Sequence, residues 1–398
     1  MSKNKGLKML LWIGLSLLAA GIITATVLLV YQIQRQKDDF AQLILDNPDT
    51  TALAAYTINA NGDPVDDDNA IFQNADTPLV TASMMKLLVL TAYETAVVNG
   101  ELDPNEQIKI ADLEHYYLPK TDGGAHINGL AGLKIKTDEL GFALDQKAVI
   151  ALDEIARIMI HYSGNAETDY LIQRLGYEKV NSAAGMQHHT PIHSILGISL
   201  AMMDHERPLA DGDLLQQLIK DVECEDYRHF DQLVNLYLND PVWRASQIEY
   251  MRTGAYITAA NGLGWEGQVE ASQLFPRGTA REYAQLMAKI ASGQMISQEV
   301  STLMQNKLET IPADWPLRTF FFRRYGSKDG LTAGLINLAA YGVPKNGPMA
   351  GKTRIVVIMT NNLPIQIWSS QVSYQGIYFF QTDLARVKGV FGKVANNY

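Results

Sequence analysis

Apolar residues are spread unevenly along the chain, and the longest uninterrupted apolar stretch lies near its start. Residues 9–34 contain no charged side chain, a run that exceeds the roughly 20 residues needed to span a bilayer. A cleavable signal peptide has a shorter apolar centre, about 7–15 residues, so the pattern favours an uncleaved anchor. Lys3, Lys5 and Lys8 precede the run and favour a cytoplasmic N-terminus. The chain beyond residue 38 is therefore expected to lie outside the cytoplasm.

After the anchor, the apolar positions follow helical and extended patterns in turn. Residues 52–58 have the composition of a strand, and Asn61-Gly62 after them is a hairpin turn signal. Residues 355–359 are apolar throughout, which predicts a strand at the centre of a sheet. The other predicted elements are helices over 83–98, 146–162, 166–175, 279–291 and 369–390, and strands over 335–343 and 354–360.

Composition narrows the classes of function. The chain has 398 residues, of which 47% are hydrophobic, enough to bury a large core. Its formal net charge of −10 argues against a nucleic-acid partner, which would favour a basic surface. Cys224 is the single cysteine, so an intrachain disulfide is excluded. His188, His189 and His193 are close in sequence, but Pro191 interrupts them and no Cys or Glu completes a ligand set, so we expect neither a metal nor another cofactor.

Ser83-Met84-Met85-Lys86 is the first of three short elements that carry candidate chemistry. At the start of a helix this spacing puts a hydroxyl and an amine on one face, about a turn apart. A lysine can serve as the base for a serine only where its pKa is lowered, and the uncharged residues after Lys86 provide apolar surroundings. Backbone N–H groups at a helix start can also stabilise an oxyanion. A capping serine with an exposed lysine would give the same pattern.

The other two elements follow in the chain. Ser163-Gly164-Asn165 lies between two predicted helices, where side chains can project into a cleft, although helix capping alone would also explain it. Lys328-Asp329-Gly330 lies on or beside a strand of the predicted sheet. A Ser-x-x-Lys helix start, a Ser-x-Asn loop and a Lys-x-Gly strand coincide in this order much less often than each occurs alone.

Together the three elements resemble those of the class A β-lactamase-like family of penicillin-recognising serine hydrolases. The resemblance covers roughly residues 50–395, with a poor match over 101–145 and 186–275. It implies an α/β (α+β) fold, in which an antiparallel sheet is flanked by helices and an all-helical sub-domain is inserted at about 80–310. The expected organisation is a cytoplasmic tail over 1–8, a transmembrane anchor over 9–34, a stalk over 35–49 and the hydrolase domain over 50–398.

The resemblance also implies roles for matching positions. Ser83 would be the nucleophile that forms an acyl-enzyme, and Lys86 its base or electrostatic partner. Ser163 would pass a proton to the departing nitrogen, while the backbone N–H groups of Ser83 and Leu331 would form the oxyanion hole. The implied substrate-binding residues are Asn165, Lys328, Asp329, Gly330 and Leu331.

Two positions depart from the family pattern. Asp329 stands where the family has threonine, and a carboxylate there would repel an anionic substrate unless Lys328 or an arginine neutralises it. The family's deacylating glutamate belongs to a Glu-x-x-Leu-Asn pattern that this chain lacks. Glu266, and after it Glu270, is the nearest candidate by order along the chain, with a solvated loop carboxylate as the alternative. Without a working glutamate, the acyl-enzyme would persist as in a penicillin-binding protein.

Three functions therefore stay open. The first is a membrane-anchored, monomeric serine hydrolase of β-lactamase type that opens a cyclic amide through a Ser83 acyl-enzyme. The second is a penicillin-binding-protein-like peptidase or esterase with slow deacylation, acting on a peptidoglycan-like or other small substrate. The third is an envelope binding protein that keeps the fold without catalysis.

Overall fold

The computed structural model describes residues 48–65, 70–209, 213–310, 318–346 and 349–374, with a few separate residues between 21 and 42. The predicted anchor lies almost entirely outside these residues, as does most of the predicted closing helix. Among the residues described, no helix is long and apolar enough to cross a membrane. The anchor and the extracytoplasmic location stay predictions, which fractionation of cells expressing the full chain would check.

An antiparallel sheet of five strands frames the unit Pro48–Trp368. Its strand order is β2-β1-β9-β8-β7, and two short pairs, β3-β6 and β4-β5, lie apart from it. The central position of β9 confirms the prediction from residues 355–359, because a strand buried on both faces is apolar along its length. The strands are β1 (Thr51–Ile58), β2 (Ile71–Gln73), β3 (Leu79–Val80), β4 (Gln107–Lys109), β5 (Val149–Ala151), β6 (Arg277–Gly278), β7 (Phe322–Thr332), β8 (Leu335–Pro344) and β9 (Thr353–Thr360).

Helices fill most of the chain between β3 and β7. Tight 3₁₀ turns occupy Pro48–Thr50, Ala82–Met85, Glu114–Tyr116 and Ser272–Leu274. The α-helices are α1 (Lys86–Val98), α2 (Ile110–Leu113), α3 (Ala125–Gly132), α4 (Leu152–His161), α5 (Asn165–Leu175), α6 (Tyr177–Ser182), α7 (Ile195–Met202), α8 (Asp213–Glu223), α9 (Arg228–Asn239), α10 (Pro241–Thr253), α11 (Ala255–Ala271), α12 (Ala280–Ser292), α13 (Gln298–Leu308), α14 (Arg318–Phe321) and α15 (Ile365–Tyr374). Helix α12 packs on β1, β8 and β9, and α1 packs beside α13 in the same core.

The inserted part is not wholly helical, which corrects the sequence prediction. The helix predicted over 146–162 begins only at Leu152, because Val149–Ala151 pair with Gln107–Lys109 instead. Val149 and Ile150 are β-branched and suit a strand, and the N–H of Leu152 donates to the carbonyl of Glu106 at 2.9 Å. A short apolar run is compatible with a helix or with a strand, and here the pairing with Gln107–Lys109 stabilises the strand.

The poorly patterned region 186–276 folds as helices α7 to α11 around a core of its own. Phe230, Tyr237 and Trp243 are among its buried residues. Asp240 caps α10 by accepting hydrogen bonds from the N–H groups of residues 242 and 243. Helix α11 is kinked at Gly264, where φ is +71°, so the stretch 264–267 belongs to a bent helix and not to a loop.

Candidate active site

Ser83 lies in the 3₁₀ turn that leads directly into α1. Residues three apart eclipse each other in a 3₁₀ turn, so the side chain of Lys86 lies beside that of Ser83. The Lys86 Nζ atom donates a hydrogen bond to Ser83 Oγ at 3.0 Å. Ala82, just before the serine, has a φ of +45°, a left-handed conformation that costs a non-glycine residue about 1–3 kcal/mol. The surrounding packing therefore holds the serine in a strained turn.

Lys86 is completely buried and surrounded by oxygen atoms. Besides Ser83, its Nζ atom donates to the Ser163 carbonyl at 2.5 Å and to Asn165 Oδ1 at 2.8 Å, and Ser163 Oγ lies 3.3 Å away. Burial, followed by the positive charge of Lys328, lowers the pKa of Lys86 to about 7. The lowered pKa makes a neutral amine accessible near neutral pH, and that amine is able to accept the serine proton.

Ser163 brings the second lysine into the same cluster. Its Oγ atom accepts a hydrogen bond from Lys328 Nζ at 3.0 Å, so this hydroxyl lies between two lysine nitrogens. Lys328 is 1% exposed and also donates to Asp329 Oδ1 at 2.7 Å. Ser163 has a φ of +72°, so a second non-glycine residue of the site adopts the left-handed conformation.

Gly330 sets how closely strand β7 approaches the serine turn. A Cβ atom added there would lie 2.3 Å from the Thr81 carbonyl oxygen and 3.1 Å from the Met84 nitrogen. Only glycine fits between these two backbone segments. The oxyanion hole predicted from Ser83 and Leu331 stays a prediction, and both residues line the same cleft.

The Ser83 cleft has a volume of about 570 Å³, within the range of small-molecule sites. Ser83, Ser163, Asn165 and Asp329 line its polar side, with Lys86 and Lys328 buried behind them. An apolar wall, mainly from the region around α7 and α11, makes up much of the remaining lining. Its larger side chains are Ile195, Met202, Met203, Leu209, Leu263, Trp265, Phe275 and Trp368, and Leu331 of β7 also lines the cleft.

Glu266, the residue predicted to deacylate, does not reach this cleft. It is exposed on α11 and lines a separate cavity of about 950 Å³ together with Glu270, which accepts a hydrogen bond from Gln216 at 2.6 Å. Successive residues of a helix point about 100° apart, so Trp265 lines the cleft while Glu266 does not. Glu266 therefore does not line the Ser83 cleft, and its deacylating role stays a prediction.

The sequence predicted no metal site at His188, His189 and His193. In the structure, two of these histidines contact tyrosine side chains. His189 Nε2 lies 2.9 Å from the hydroxyl of Tyr283, and the ring of His193 packs against those of Tyr177 and Tyr227. In the part of the chain that the structure describes, no group of three or more His, Cys, Asp or Glu side chains is arranged to hold a metal ion.

A buried charged cluster behind the Ser163–Asn165 loop escaped the sequence analysis. His126 Nδ1 lies 2.6 Å from Glu167 Oε1, and its Nε2 atom lies 3.4 Å from Glu114 Oε1. Burial acts to lower the pKa of His126, but Glu167 and Glu114 outweigh it and raise the pKa to about 10. A Cβ atom on Gly164 would lie 1.9 Å from Glu167 Oε2, so this carboxylate fills the space of the missing side chain. In the sequence, the glycine between Ser163 and Asn165 was the one indication that another group packs closely against this loop.

We expect His126→Gln to destabilise the fold by about 3–5 kcal/mol near pH 6.5, because two buried carboxylates lose their cation. The imidazolium contributes fully below its ordinary pKa of 6.5, and the contribution disappears as pH rises through about 10. The difference between wild type and variant should therefore shrink between these two pH values. Urea unfolding at both pH values measures it, with the exposed His115→Gln as control. A difference that is equal at both pH values would contradict the assignment.

Known proteins resemble this chain in sequence and in fold. The sequence matches the profile of the Beta-lactamase enzyme family over residues 37–316. The β-lactamase of Sphaerobacter thermophilus is 17% identical, covers 89% of this chain and 97% of its own, and superposes with a TM-score of 0.51. The TLA-1 extended-spectrum β-lactamase is 11% identical over 88% of this chain and 96% of its own, with a TM-score of 0.50. No curated protein is significantly similar in sequence. At these identities, the two structures show a shared fold alone.

Proposed function

Since this chain belongs to the β-lactamase enzyme family, we propose that it is a serine acyl hydrolase of β-lactamase type with Ser83 as its nucleophile. The observation that carries the proposal is the contact between Lys86 Nζ and Ser83 Oγ at 3.0 Å. A serine is a weak nucleophile until a base takes its proton, and the lowered pKa of Lys86, about 7, suits that task at neutral pH. The β-lactam ring is the substrate that family membership implies.

In the proposed acylation step, the neutral Lys86 amine accepts the proton of Ser83. The serine oxygen then forms a bond to the substrate carbonyl carbon, and the carbonyl electron pair moves to an oxygen held by backbone N–H groups. As the C–N bond breaks, its electron pair stays on nitrogen, which takes a proton from Ser163. Lys86 returns a proton to Ser163, whose Oγ atom lies 3.3 Å from its Nζ atom. Asn165, which lines the cleft, is the residue proposed to hold the substrate amide.

Deacylation is the step for which the cleft is poorly equipped. Among the described residues, the carboxylates that line it are Asp122 and Asp329. The Asp122 oxygens accept hydrogen bonds from the N–H groups of Gly124 and His126, at 3.0 and 2.8 Å, and Asp329 pairs with Lys328. Both carboxylates are therefore already engaged in contacts within the fold. This favours the second candidate, a protein that keeps its acyl group as penicillin-binding proteins do.

Intact-mass spectrometry of the full chain tests the proposal with two reagents. We expect a fluorophosphonate, which labels activated serines whatever their natural substrate, to add one adduct at Ser83. Benzylpenicillin should add one acyl group at the same residue, and slow deacylation predicts that this adduct persists for minutes or longer. A fluorophosphonate adduct without a penicillin adduct would keep the serine hydrolase but remove β-lactams from its substrates. No adduct with either reagent would contradict the proposed function.

A further inference from the structure

The charges that line the Ser83 cleft have one sign. Within the described part of the chain, its charged lining residues are Asp122 and Asp329, and neither lysine nor arginine lines it. Lys86 and Lys328 belong to the site but are 0% and 1% exposed, so they lie behind its surface. A substrate that brings its own carboxylate into this cleft would face two others.

The cation that would bind a substrate carboxylate is already paired. Lys328 Nζ donates to Asp329 Oδ1 at 2.7 Å and to Ser163 Oγ at 3.0 Å. Partial burial acts to raise the pKa of Asp329, but the Lys328 charge outweighs it and holds the pKa below its usual value. Asp329 is therefore ionised at neutral pH, and 48% of its side chain is exposed. An anionic substrate would have to displace this carboxylate from Lys328.

The apolar wall of the cleft includes two tryptophans whose polar groups are already used. The indole N–H of Trp265 donates to the carbonyl of Leu363 at 3.2 Å, and that of Trp368 donates to the carbonyl of Thr332 at 2.8 Å. Both indole N–H groups are thus used within the fold, and the two rings lie 5.2 Å apart. Leu263 lies beside them. Water gains little at such a wall, whereas an apolar ligand gains from leaving water.

We propose that the substrate of this site is an uncharged ester or amide with an apolar acyl group, an inference that rests on the Ser83 hydrolase proposed above. The acyl carbon forms a bond to Ser83 Oγ as its bond to the leaving oxygen or nitrogen breaks. The leaving group departs with its electron pair and a proton that came from the serine through Lys86 and Ser163. Water then cleaves the acyl-enzyme in a slow step, which releases the carboxylic acid and returns a proton to Ser83. The apolar wall holds the acyl chain. The pairing of Asp329 with Lys328 slows acylation by substrates that carry a carboxylate beside it, so benzylpenicillin reacts more slowly than an uncharged ester.

A series of p-nitrophenyl esters, from acetate to octanoate, tests the apolar wall. The second-order rate constant for acylation, read from the release of p-nitrophenolate, should rise by up to about fourfold for each added CH₂ group that the wall buries. Leu263→Ser should flatten this rise, because Leu263 lines the cleft. Ile257→Ser is the matched control, since Ile257 is an exposed residue of α11 that does not line the cleft. A flat wild-type series, or a wild-type slope in Leu263→Ser, would overturn the inference.

Two six-carbon esters test the rejection of charge. We expect p-nitrophenyl hexanoate to acylate the protein at least about tenfold faster than the hexanoate ester of 5-hydroxy-2-nitrobenzoate, which has the same acyl chain and a carboxylate on its leaving group. Asp329→Asn should reduce this ratio several-fold, whereas Glu178→Gln, an exposed charge change outside the cleft, should not. A ratio near one, a ratio unchanged in Asp329→Asn, or a preference for the 6-aminohexanoate ester would overturn the inference.

Labelling by a fluorophosphonate separates this inference from the function on which it rests. If Ser83 is labelled and the esters show neither chain-length nor charge discrimination, the proposed serine hydrolase function is supported and the proposed substrate class is contradicted. If Ser83 resists labelling, both fall. Labelling of Ser83 together with both discriminations supports the two proposals.

Discussion

Replacing Ser83 by alanine should lower the rate of acylation by at least about 10⁴-fold, because no other hydroxyl can take the place of a lost nucleophile. The substitution removes one oxygen atom, which accepts a hydrogen bond from Lys86, and leaves the turn Ala82–Met85 without a new steric conflict. The fold should therefore persist. Release of p-nitrophenolate and mass labelling by a fluorophosphonate measure the loss.

Ser182→Ala is the control for this experiment, since Ser182 is an exposed serine of α6. It should acylate as the wild type does. If Ser83→Ala kept the wild-type rate, or if the fluorophosphonate labelled it equally, the reaction would have to use another residue. The assignment of the cleft as a hydrolase site would then be wrong.

Lys86→Met should reduce acylation by about 10³-fold, the contribution of a positioned general base. Methionine is apolar and similar in length, so it suits a buried position without leaving an unpaired charge there. In the wild type, only the neutral amine can accept the serine proton. Since the pKa of Lys86 is lowered to about 7, acylation should rise as pH increases through that value and level off above it. The variant should lose this rise.

The pH profile distinguishes a lysine that acts as the general base from a lysine that only supports the fold. Lys289→Met, at an exposed lysine of α12, should keep both the rate and the pH dependence of the wild type. A Lys86→Met variant that retained the rise near pH 7 would show that another group titrates in the wild type. A lysine that acted only as structural support would change the rate without abolishing the rise.

The polar elements of the site could be predicted because each is local in sequence. Ser83 and Lys86 are three residues apart, Ser163 and Asn165 two apart, and the hydrogen bonds of Lys86 join all four. Lys328 reaches Ser163 across 165 residues of sequence, and only the order of known elements predicted that contact. Spacing within a turn of helix is readable from sequence, whereas contact between distant segments needs the fold.

The apolar wall and the buried histidine could not be read in this way. Helix α7 is almost entirely buried, so its residues show no polar face that would reveal a helical period. Helix α11 changes direction at Gly264, which interrupts its period. The expectation for Glu266 used order along the chain alone, and that order does not determine which cavity a side chain lines. His126 meets carboxylates 12 and 41 residues away in sequence, and no local pattern brings those three side chains together.

The tight approach at Gly330 divides the cleft into a fixed half and an adaptable half. Thr81, Ser83 and Met84 meet strand β7 backbone to backbone, so neither segment can shift toward the other by even the width of a methyl group. The reacting half is thus held as one rigid piece with the sheet. The side chains of α7 and α11 that line the cleft can change rotamer, and α11 itself can bend at its kink at Gly264. Relatives with this frame would therefore differ in substrate preference through the residues of the apolar wall, while the reacting residues of the serine turn and strand β7 stayed the same.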